Sequence, residues 1–462
     1  MKKQILVSGL SLLIGMGMAS TASAMSFEFH GKMWQTIGFT DNDAALQGKL
    51  KSGKTNYFGY TNVAGDEQLN VKGAEKKGYY DVMGDGTSVD FGLTKARLRF
   101  EGKTDDGRAK FVYGLEVGTV NWGDKDKGFG LSGDGINQET RFAYAQIQIP
   151  GLDQNQYLRA GLQPTKINHW LWTETAAGLT YHGKAGDAKW MAGWYRGDED
   201  RAGNSSDNDY YILKGSTKIT SAFKMGLFGV YADVGNEHTY GITDIDFTAG
   251  TEDQYDDNTY YLGLTGELNG PIFGSFDLIY QGGDIEFDSN ELRDLDHSAY
   301  LGDLTVGYKF DDRFKVYANF LYVSGDDDYT DSDADNFNSI DVDVKVGIIL
   351  TKDSLLGDCD RFVTDSPYIM DQGLINYSLT GEFQLNPENH FRAAIRYLQL
   401  AEDYALGDDE IGTELDFWYK YKYNKNVALR FEAAYLFADD ALAFDESGDD
   451  MYTVAAGIQF KF

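Results

Sequence analysis

The end of the chain, Tyr-Thr-Val-Ala-Ala-Gly-Ile-Gln-Phe-Lys-Phe at residues 452–462, decides the fold. In an extended strand, successive side chains point to opposite faces. The two faces of this strand differ in polarity: Val454, Ala456, Ile458, Phe460 and Phe462 on one, and Thr453, Ala455, Gly457, Gln459 and Lys461 on the other. Such a strand needs an apolar medium on one side and water on the other. Repeated along the chain, the pattern is typical of a membrane-spanning β-barrel.

The first residues have the pattern of a secretory signal. Lys2 and Lys3 precede an apolar run that ends near Met18, and Ala22-Ser23-Ala24 follows as a small-residue cleavage site. The run is shorter than the ~20 residues that a spanning helix needs. We therefore predict a cleaved signal peptide over residues 1–24, export to the bacterial outer membrane, and a single barrel domain over residues 25–462.

Composition narrows the class of protein. Aromatic residues make up 14% of the chain, as the two interfacial girdles of a membrane barrel require. Cys359 is the only cysteine, which excludes a disulfide framework. The net charge of −32 argues against binding to nucleic acid.

Alternating segments extend over most of the chain. Residues 94–103 carry Lys95, Arg97 and Arg99 on one face and Leu98 and Phe100 on the other, and the chain returns after Asp-Asp-Gly at 105–107 as a hairpin. Connections alternate between short turns and long polar loops. This predicts an all-β, transmembrane, antiparallel up-and-down barrel with short periplasmic turns and long extracellular loops.

About nineteen segments alternate, but a barrel whose two ends lie in the periplasm needs an even number of strands. The ambiguity falls between Asp326 and Gln372. Either Ser339–Leu350 belongs to a long extracellular excursion, which gives 18 strands, or a poorly patterned strand lies near 360–370, which gives 20. We expect about 18 strands, within a range of 16–20.

Basic residues share the polar faces of several predicted strands. Since the apolar faces meet lipid, these side chains should point into the lumen as a basic wall. The predicted pore-lining residues are Lys95, Arg97, Arg99, Lys103, Arg108, Lys110, Arg159, Arg392, Arg396 and Arg430.

Acidic residues cluster in predicted extracellular loops. One such group is Asp326, Asp327, Asp328, Asp331, Asp333 and Asp335. Charges at a pore mouth concentrate counter-ions, so these acids either enrich cations there or simply solvate the loop. The spacing of Asp331, Asp333 and Asp335 is similar to a calcium loop, but Asn336 and Val342 replace its glycine and its closing glutamate. We assign no metal site and expect no cofactor.

A compact aromatic and basic group follows Gly-Leu-Gln-Pro at 161–164. Its members are Lys166, His169, Trp170 and Trp172. They either narrow the channel as an inward loop or belong to an interfacial girdle. No catalytic motif accompanies them: the sequence has no G-x-S-x-G elbow, no H-E-x-x-H and no phosphate loop, so we expect no catalytic residue.

The chain resembles the Gram-negative outer-membrane porin superfamily in its signal, its hairpins and its terminal phenylalanine. The segments 95–102 (Lys-Ala-Arg-Leu-Arg-Phe-Glu-Gly) and 157–163 (Tyr-Leu-Arg-Ala-Gly-Leu-Gln) are loosely similar to the phosphate-selective branch. The resemblance implies a homotrimer, recognition of the C-terminal strand by the barrel assembly machinery, and contact with outer-membrane lipid and lipopolysaccharide.

These observations favour a porin, that is, a water-filled channel for passive diffusion of small hydrophilic solutes and ions. Two alternatives remain open: a scaffold barrel that binds a partner or encloses an electron-transfer protein, and an outer-membrane barrel enzyme.

Overall fold

The structure is a computed structural model that describes residues 25–41, 89–124, 126, 138–153, 155–198, 208–234, 255–287, 294–328, 331–351, 353–354, 364, 366–402, 409–439, 441 and 450–462. The predicted signal peptide and Cys359 lie outside the described residues. Among the described residues, no helix is long and apolar enough to cross a bilayer.

Strands dominate the described chain. The first half contains β1 (Met25–Thr40), β2 (Val89–Thr104), β3 (Ala109–Asn121), β4 (Glu139–Gln148), β5 (Tyr157–Pro164), β6 (Thr175–Ala185), β7 (Ala188–Asp198), β8 (Asn208–Lys218) and β9 (Phe223–Val234). The second half contains β10 (Tyr255–Leu268), β11 (Ile272–Phe287), β12 (Leu295–Lys309), β13 (Phe314–Val323), the two-residue β14 (Asp333–Ala334), a 3-10 turn (Met370–Gln372), β15 (Leu374–Gln384), β16 (Asn389–Gln399), β17 (Glu410–Lys422), β18 (Val427–Ala438) and β19 (Met451–Lys461).

The long strands form one closed antiparallel sheet. Each pairs with the next along the chain, β13 pairs with β15, and β1 pairs with β19 to close the cylinder. In the described chain 18 long strands form the wall, while β14 only pairs in parallel with the end of β12. The predicted all-β barrel of 18 strands is therefore confirmed, and residues 339–350 do not form a wall strand.

The two faces of the wall differ as the alternation requires. Phe460 points outward and is 39% exposed, whereas its neighbour Gln459 points inward and is 4% exposed. Aromatic pairs lie on the outer face at both ends of the strands: the Phe29 and Phe462 rings are 5.4 Å apart at one end, and the Tyr435 and Tyr452 rings are 6.3 Å apart at the other. This apolar surface with two aromatic girdles fits a lipid bilayer.

Connection lengths differ between the two ends of the barrel. The short turns, such as those at Asp106, Asp187, Asp312 and Asn424, share one end, which we call the turn end. The long connections share the other, the loop end. At the turn between β12 and β13, Asp311 Oδ1 accepts hydrogen bonds from the backbone N–H groups of Arg313 (2.7 Å) and Phe314 (2.8 Å).

Two loop-end connections fold into the barrel instead of away from it. They are the constriction loop, residues 165–174 between β5 and β6, and the inner segment, the described part of residues 331–372 between β13 and β15. Val344, Val346 and Ile348 of the inner segment are buried. The expectation that this stretch is an extracellular excursion is therefore wrong, because its alternating apolar residues pack inside the lumen.

Candidate pore constriction

The constriction loop is held in the lumen by its own backbone and by the wall. Its ends are joined by a hydrogen bond from Ile167 N–H to the Trp172 carbonyl (3.0 Å). The Lys214 ammonium, which reaches in from β8, donates to the carbonyl oxygens of Lys166 (2.8 Å) and Ile167 (2.6 Å). A half-buried lysine whose ammonium is satisfied by loop carbonyls fixes the loop against that side of the barrel.

The four residues singled out in this loop have different surroundings. Trp170 and Trp172 are buried, and the Trp172 ring lies 4.9 Å from the ring of Tyr210 on β8. Lys166 is exposed with a φ of 51°, and the His169 ring is 55% exposed to the lumen. All four therefore lie inside the cylinder, and none of them belongs to an outer girdle.

The inner segment packs directly on the constriction loop. Ile340 N–H donates to the Leu171 carbonyl (2.9 Å), and Ser339 Oγ donates to the Trp170 carbonyl (2.7 Å). Thr173 N–H donates in return to the Asp341 carbonyl (2.9 Å). We call the two segments together the plug, because these bonds join them into one body.

Carboxylates on β17 bind the far end of the plug. Glu414 accepts hydrogen bonds from the backbone N–H groups of Ile349 (2.7 Å) and Leu350 (3.1 Å), and it is fully buried. Asp416 accepts one from Ile348 N–H (3.3 Å). Buried carboxyl groups that accept these backbone donors satisfy N–H groups which would otherwise be unpaired, and so anchor the segment.

Much of the wall beside the plug is apolar on its inner face, although carboxyl groups interrupt it. Buried apolar side chains from many strands pack against it, among them Tyr195, Tyr210, Ile212, Phe228, Val230, Ala232, Tyr261, Ile279, Leu301, Leu321 and Leu436. This part of the lumen is therefore filled with protein near the loop end.

The basic wall lies elsewhere, on β2 and β3. Lys95, Arg97, Arg99 and Lys103 alternate with outward residues of β2, and Lys110 lies on the same inner face of β3. The Arg97 side chain is 31% exposed and that of Arg99 is 43% exposed, so water of the lumen reaches both. Arg108 differs, because it lies in the turn before β3 with its guanidinium 3.7 Å from Asp106.

Two buried glutamates balance part of this charge. Glu116 contacts the ammonium of Lys95 (2.7 Å), the guanidinium of Arg141 (2.7 Å) and that of Arg97. Glu101 contacts Arg99, Lys103 (3.0 Å) and Lys110 (3.5 Å). Each acid faces three cations, so the wall keeps a positive excess.

The remaining predicted arginines also lie on inner faces. The Arg159 guanidinium stacks 4.7 Å from the Tyr144 ring, and Arg430 donates to Gln459 (2.6 Å). Arg392 and Arg396 form ion pairs beside the plug: Arg392 contacts Asp353 of the inner segment at 2.7 Å, and Arg396 contacts Asp416 on β17 at 2.8 Å. These two arginines therefore stabilise the plug, whereas Arg159 and Arg430 extend the charged surface of the lumen.

Several lumen cations were not among the predicted residues, and three of them lie near the turn end. Lys32 on β1 lies directly opposite Lys461 on β19 and Arg97 on β2, and Lys420 on β17 lies opposite Arg430. Within the described chain, Lys32, Lys420 and Lys461 have no carboxylate within ion-pair distance. The parity of their strands already places them inside, so the same alternation that selected Arg97 could have found them.

Acids of the plug face the basic wall. The Glu174 carboxylate, at the end of the constriction loop, lies 3.7 Å from the Arg141 guanidinium, and Asp341 and Asp343 of the inner segment are its neighbours. Burial, and then the nearby Asp343 carboxylate, raise the pKa of Glu174 to about 7. This acid–base gap is the candidate constriction.

The predicted acidic mouth lies at the loop end, where the chain leaves β13. Asp327, Asp328, Asp331 and Asp333 are exposed, Asp335 is half-buried and Asp326 is buried. Burial raises the pKa of Asp326 to about 7, since a charged carboxylate loses its hydration there. In the described part of this mouth, no three acids converge in the manner of a metal site.

Comparison with protein-family models and with curated protein sequences found no match. Solved structures are similar over almost the whole chain. OpdL of Pseudomonas aeruginosa has a TM-score of 0.53 at 9% identity, covering 95% of this chain and 99% of its own. OccK2 (OpdF) of the same organism has a TM-score of 0.49 at 11% identity, with 94% and 98% covered. OmpF of Salmonella typhi, in complex with daunomycin, has a TM-score of 0.45 at 10% identity, with 95% and 98% covered.

At these identities the likeness concerns the fold alone. The chain therefore has the closed antiparallel β-barrel architecture of OpdL, with inward connections and charged inner faces built from its own residues.

Proposed function

We propose that the protein is an outer-membrane porin, a channel for passive diffusion of small hydrophilic solutes and ions. The observation that carries the proposal is the partly exposed basic wall inside a closed cylinder whose outer face is apolar. A barrel of 18 strands is wide enough to keep an aqueous lumen beside a plug.

The charges define a path for solutes. They enter past the acidic mouth, pass between the plug acids and the basic wall, and leave along the cations of the turn end. Lys32, Lys420 and Lys461 lack acidic partners in the described chain and attract small anions.

The same proposal sets the location and the partners. The mature chain, residues 25–462, lies in the outer membrane after removal of residues 1–24, in contact with lipid and lipopolysaccharide. The C-terminal strand is delivered by the barrel assembly machinery, and the barrels associate as homotrimers. The protein works by pore width and wall charge, without a catalytic residue.

The filled loop end of the lumen favours one competing function, a scaffold barrel that binds a partner and does not conduct. Planar-bilayer recording separates the two functions. The channel proposal expects stepwise, ohmic openings from the purified full-length protein. A stably inserted protein that stays silent would support the scaffold, and hydrolysis of a peptide or phospholipid by that protein would support a barrel enzyme.

A further inference from the structure

Two buried carboxylates oppose each other beneath the constriction loop. Asp277 on β11 is the direct cross-strand partner of Asp303 on β12, and both point into the lumen. They are only 6% and 5% exposed. Like charges directly opposite in a sheet repel, and burial strengthens the repulsion.

The surroundings supply little compensating charge. The His169 Nδ1 atom lies 3.9 Å from Asp277 Oδ2, and no other basic side chain of the described residues lies within ion-pair distance of that carboxylate. The Lys214 ammonium faces the same region but donates to the carbonyl oxygens of Lys166 and Ile167. Among the described residues, Asp303 makes no ion pair with a basic side chain.

The three side chains converge as metal ligands do. One nitrogen of His169 and one oxygen each of Asp277 and Asp303 lie within 4.8 Å of one another. One oxygen of each carboxylate accepts a hydrogen bond from an amide: Asn168 Nδ2 donates to Asp277 Oδ1 (2.7 Å), and Asn319 Nδ2 donates to Asp303 Oδ1 (2.5 Å). Such outer hydrogen bonds orient the ligands of metal sites.

The Trp170 indole and a neighbouring cavity also indicate a ligand site beside Asp277 and Asp303. The indole N–H of Trp170 is buried and faces the Asp303 carboxylate, but within the described chain it has no hydrogen bond of normal geometry. A cavity of about 550 Å³, lined by His169, Asp277, Lys309 and Tyr317, opens below and gives water access to the site. A metal-bound water would have room there, with the indole as a donor to its oxygen or to Asp303.

We propose that His169, Asp277 and Asp303 bind a divalent transition-metal ion, with Zn²⁺ as the best fit. One imidazole and two carboxylates are ligands that zinc accepts, with a fourth position left to water. Ligand atoms of a tetrahedral zinc ion lie about 3.3 Å apart, so the three side chains close on the ion by roughly 1 Å. The ion neutralises the opposed carboxylates and ties the constriction loop to β11 and β12.

Zinc titration of the full-length, tag-free protein in detergent, after treatment with a chelator, tests the proposal without reference to conductance. Zn²⁺ is added in competition with a chromophoric chelator to wild type, His169→Gln and Asp303→Asn. His182→Gln, a lumen histidine stacked on Tyr157, and Asp312→Asn, in a turn, are matched controls.

We expect one equivalent of Zn²⁺ on wild type and on both controls, and at least tenfold weaker binding in His169→Gln and Asp303→Asn. No binding by wild type, or equal binding by all variants, would overturn the proposal, the latter being an adventitious ion only. Should Asp303→Asn fail to fold, His169→Gln decides, because its exposed ring is not part of the wall. Co²⁺ replacement adds a direct readout, since its visible absorption must depend on His169.

Discussion

Strands β2 and β9 both alternate inward and outward side chains, but their inward residues differ in chemical type. On β2 the inward residues are Arg97 and Arg99. On β9 they are Phe228 and Val230, so β9 is apolar on both faces. The β2 wall meets water, whereas the β9 wall meets the plug. Alternation thus reports which side faces in, and residue type reports what fills the inside.

The position of the plug is predicted to depend on Glu414. Loss of this side chain should change conductance more than any other substitution considered. Glu414→Ala removes two hydrogen bonds to the inner segment and leaves two buried backbone N–H groups unpaired, at a cost of about 1–3 kcal/mol each. We expect the inner segment to detach and single-channel conductance in a planar bilayer to rise several-fold.

Glu388→Ala is the control for that experiment, because Glu388 is an exposed acid in the turn between β15 and β16. It should leave conductance at the wild-type value. Wild-type conductance in Glu414→Ala would mean that the plug does not limit the flow of ions.

The basic wall is predicted to set the ratio of cation to anion permeability. Replacing Arg97 and Arg99 together by Gln removes two lumen cations and should raise cation over anion permeability, measured as the reversal potential in a salt gradient. Lys32→Gln with Lys461→Gln removes the same charge from residues that have no acidic partner in the described chain. This second pair should shift the reversal potential with no loss of stability. The arginine pair should also destabilise the barrel, because buried Glu116 and Glu101 each lose one of three cationic partners. An unchanged reversal potential in both pairs would contradict a charged pathway.

The gap between the two sides should respond to pH. The pKa of Glu174 is raised to about 7, so the group is protonated below that pH and gains its negative charge as the pH rises through it. Cation preference should therefore increase modestly between pH 6 and 8, within about one unit of that pKa. Glu174→Gln should flatten the dependence to the part due to Asp326, whose pKa is also about 7. A profile that is identical in wild type and Glu174→Gln would place the titrating group elsewhere.

A substitution at the turn end, away from the plug and the basic wall, should affect stability alone. Asp311→Ala removes two backbone hydrogen bonds in a turn and should lower the free energy of unfolding by about 1 kcal/mol. Urea unfolding measures this change, and bilayer conductance should stay at the wild-type value. Altered conductance would show that the turn end, too, shapes the pore.

Much of the wall was readable from sequence. The alternation in residues 452–462 places Gln459 inside and Phe460 outside, as the structure does, because a strand that divides water from lipid has no other stable arrangement. The number of strands had to be even, because both ends of an up-and-down barrel lie on the same side of the membrane. The same topology places the short turns at one end and the long loops at the other.

The interior was harder to predict. The inner segment carries the period-two pattern of a strand at Val342, Val344 and Val346, yet these three residues pack inside the lumen and form no strand of the wall. Periodicity alone cannot show whether an apolar face contacts lipid or the apolar inner wall of the barrel. Strand β9 does give a clue to a filled lumen, because its two apolar faces indicate burial on both sides. The meeting of Asp277, Asp303 and His169 depended on the register of two strands and on the inward fold of a loop, which no local pattern encodes.

The central claim, that alternate residues of one strand meet lumen water and bilayer, can be tested directly by thiol accessibility. In a Cys359→Ser background, single cysteines replace Val454, Phe460, Gly457 and Lys461 in turn, and folded protein in liposomes is treated with a membrane-impermeant maleimide small enough to enter the lumen. Gly457 and Lys461 share the inner face and are not buried, so we predict labelling at 457 and 461 and protection at 454 and 460. Equal labelling at all four positions, or labelling at 454 and 460 alone, would contradict the account.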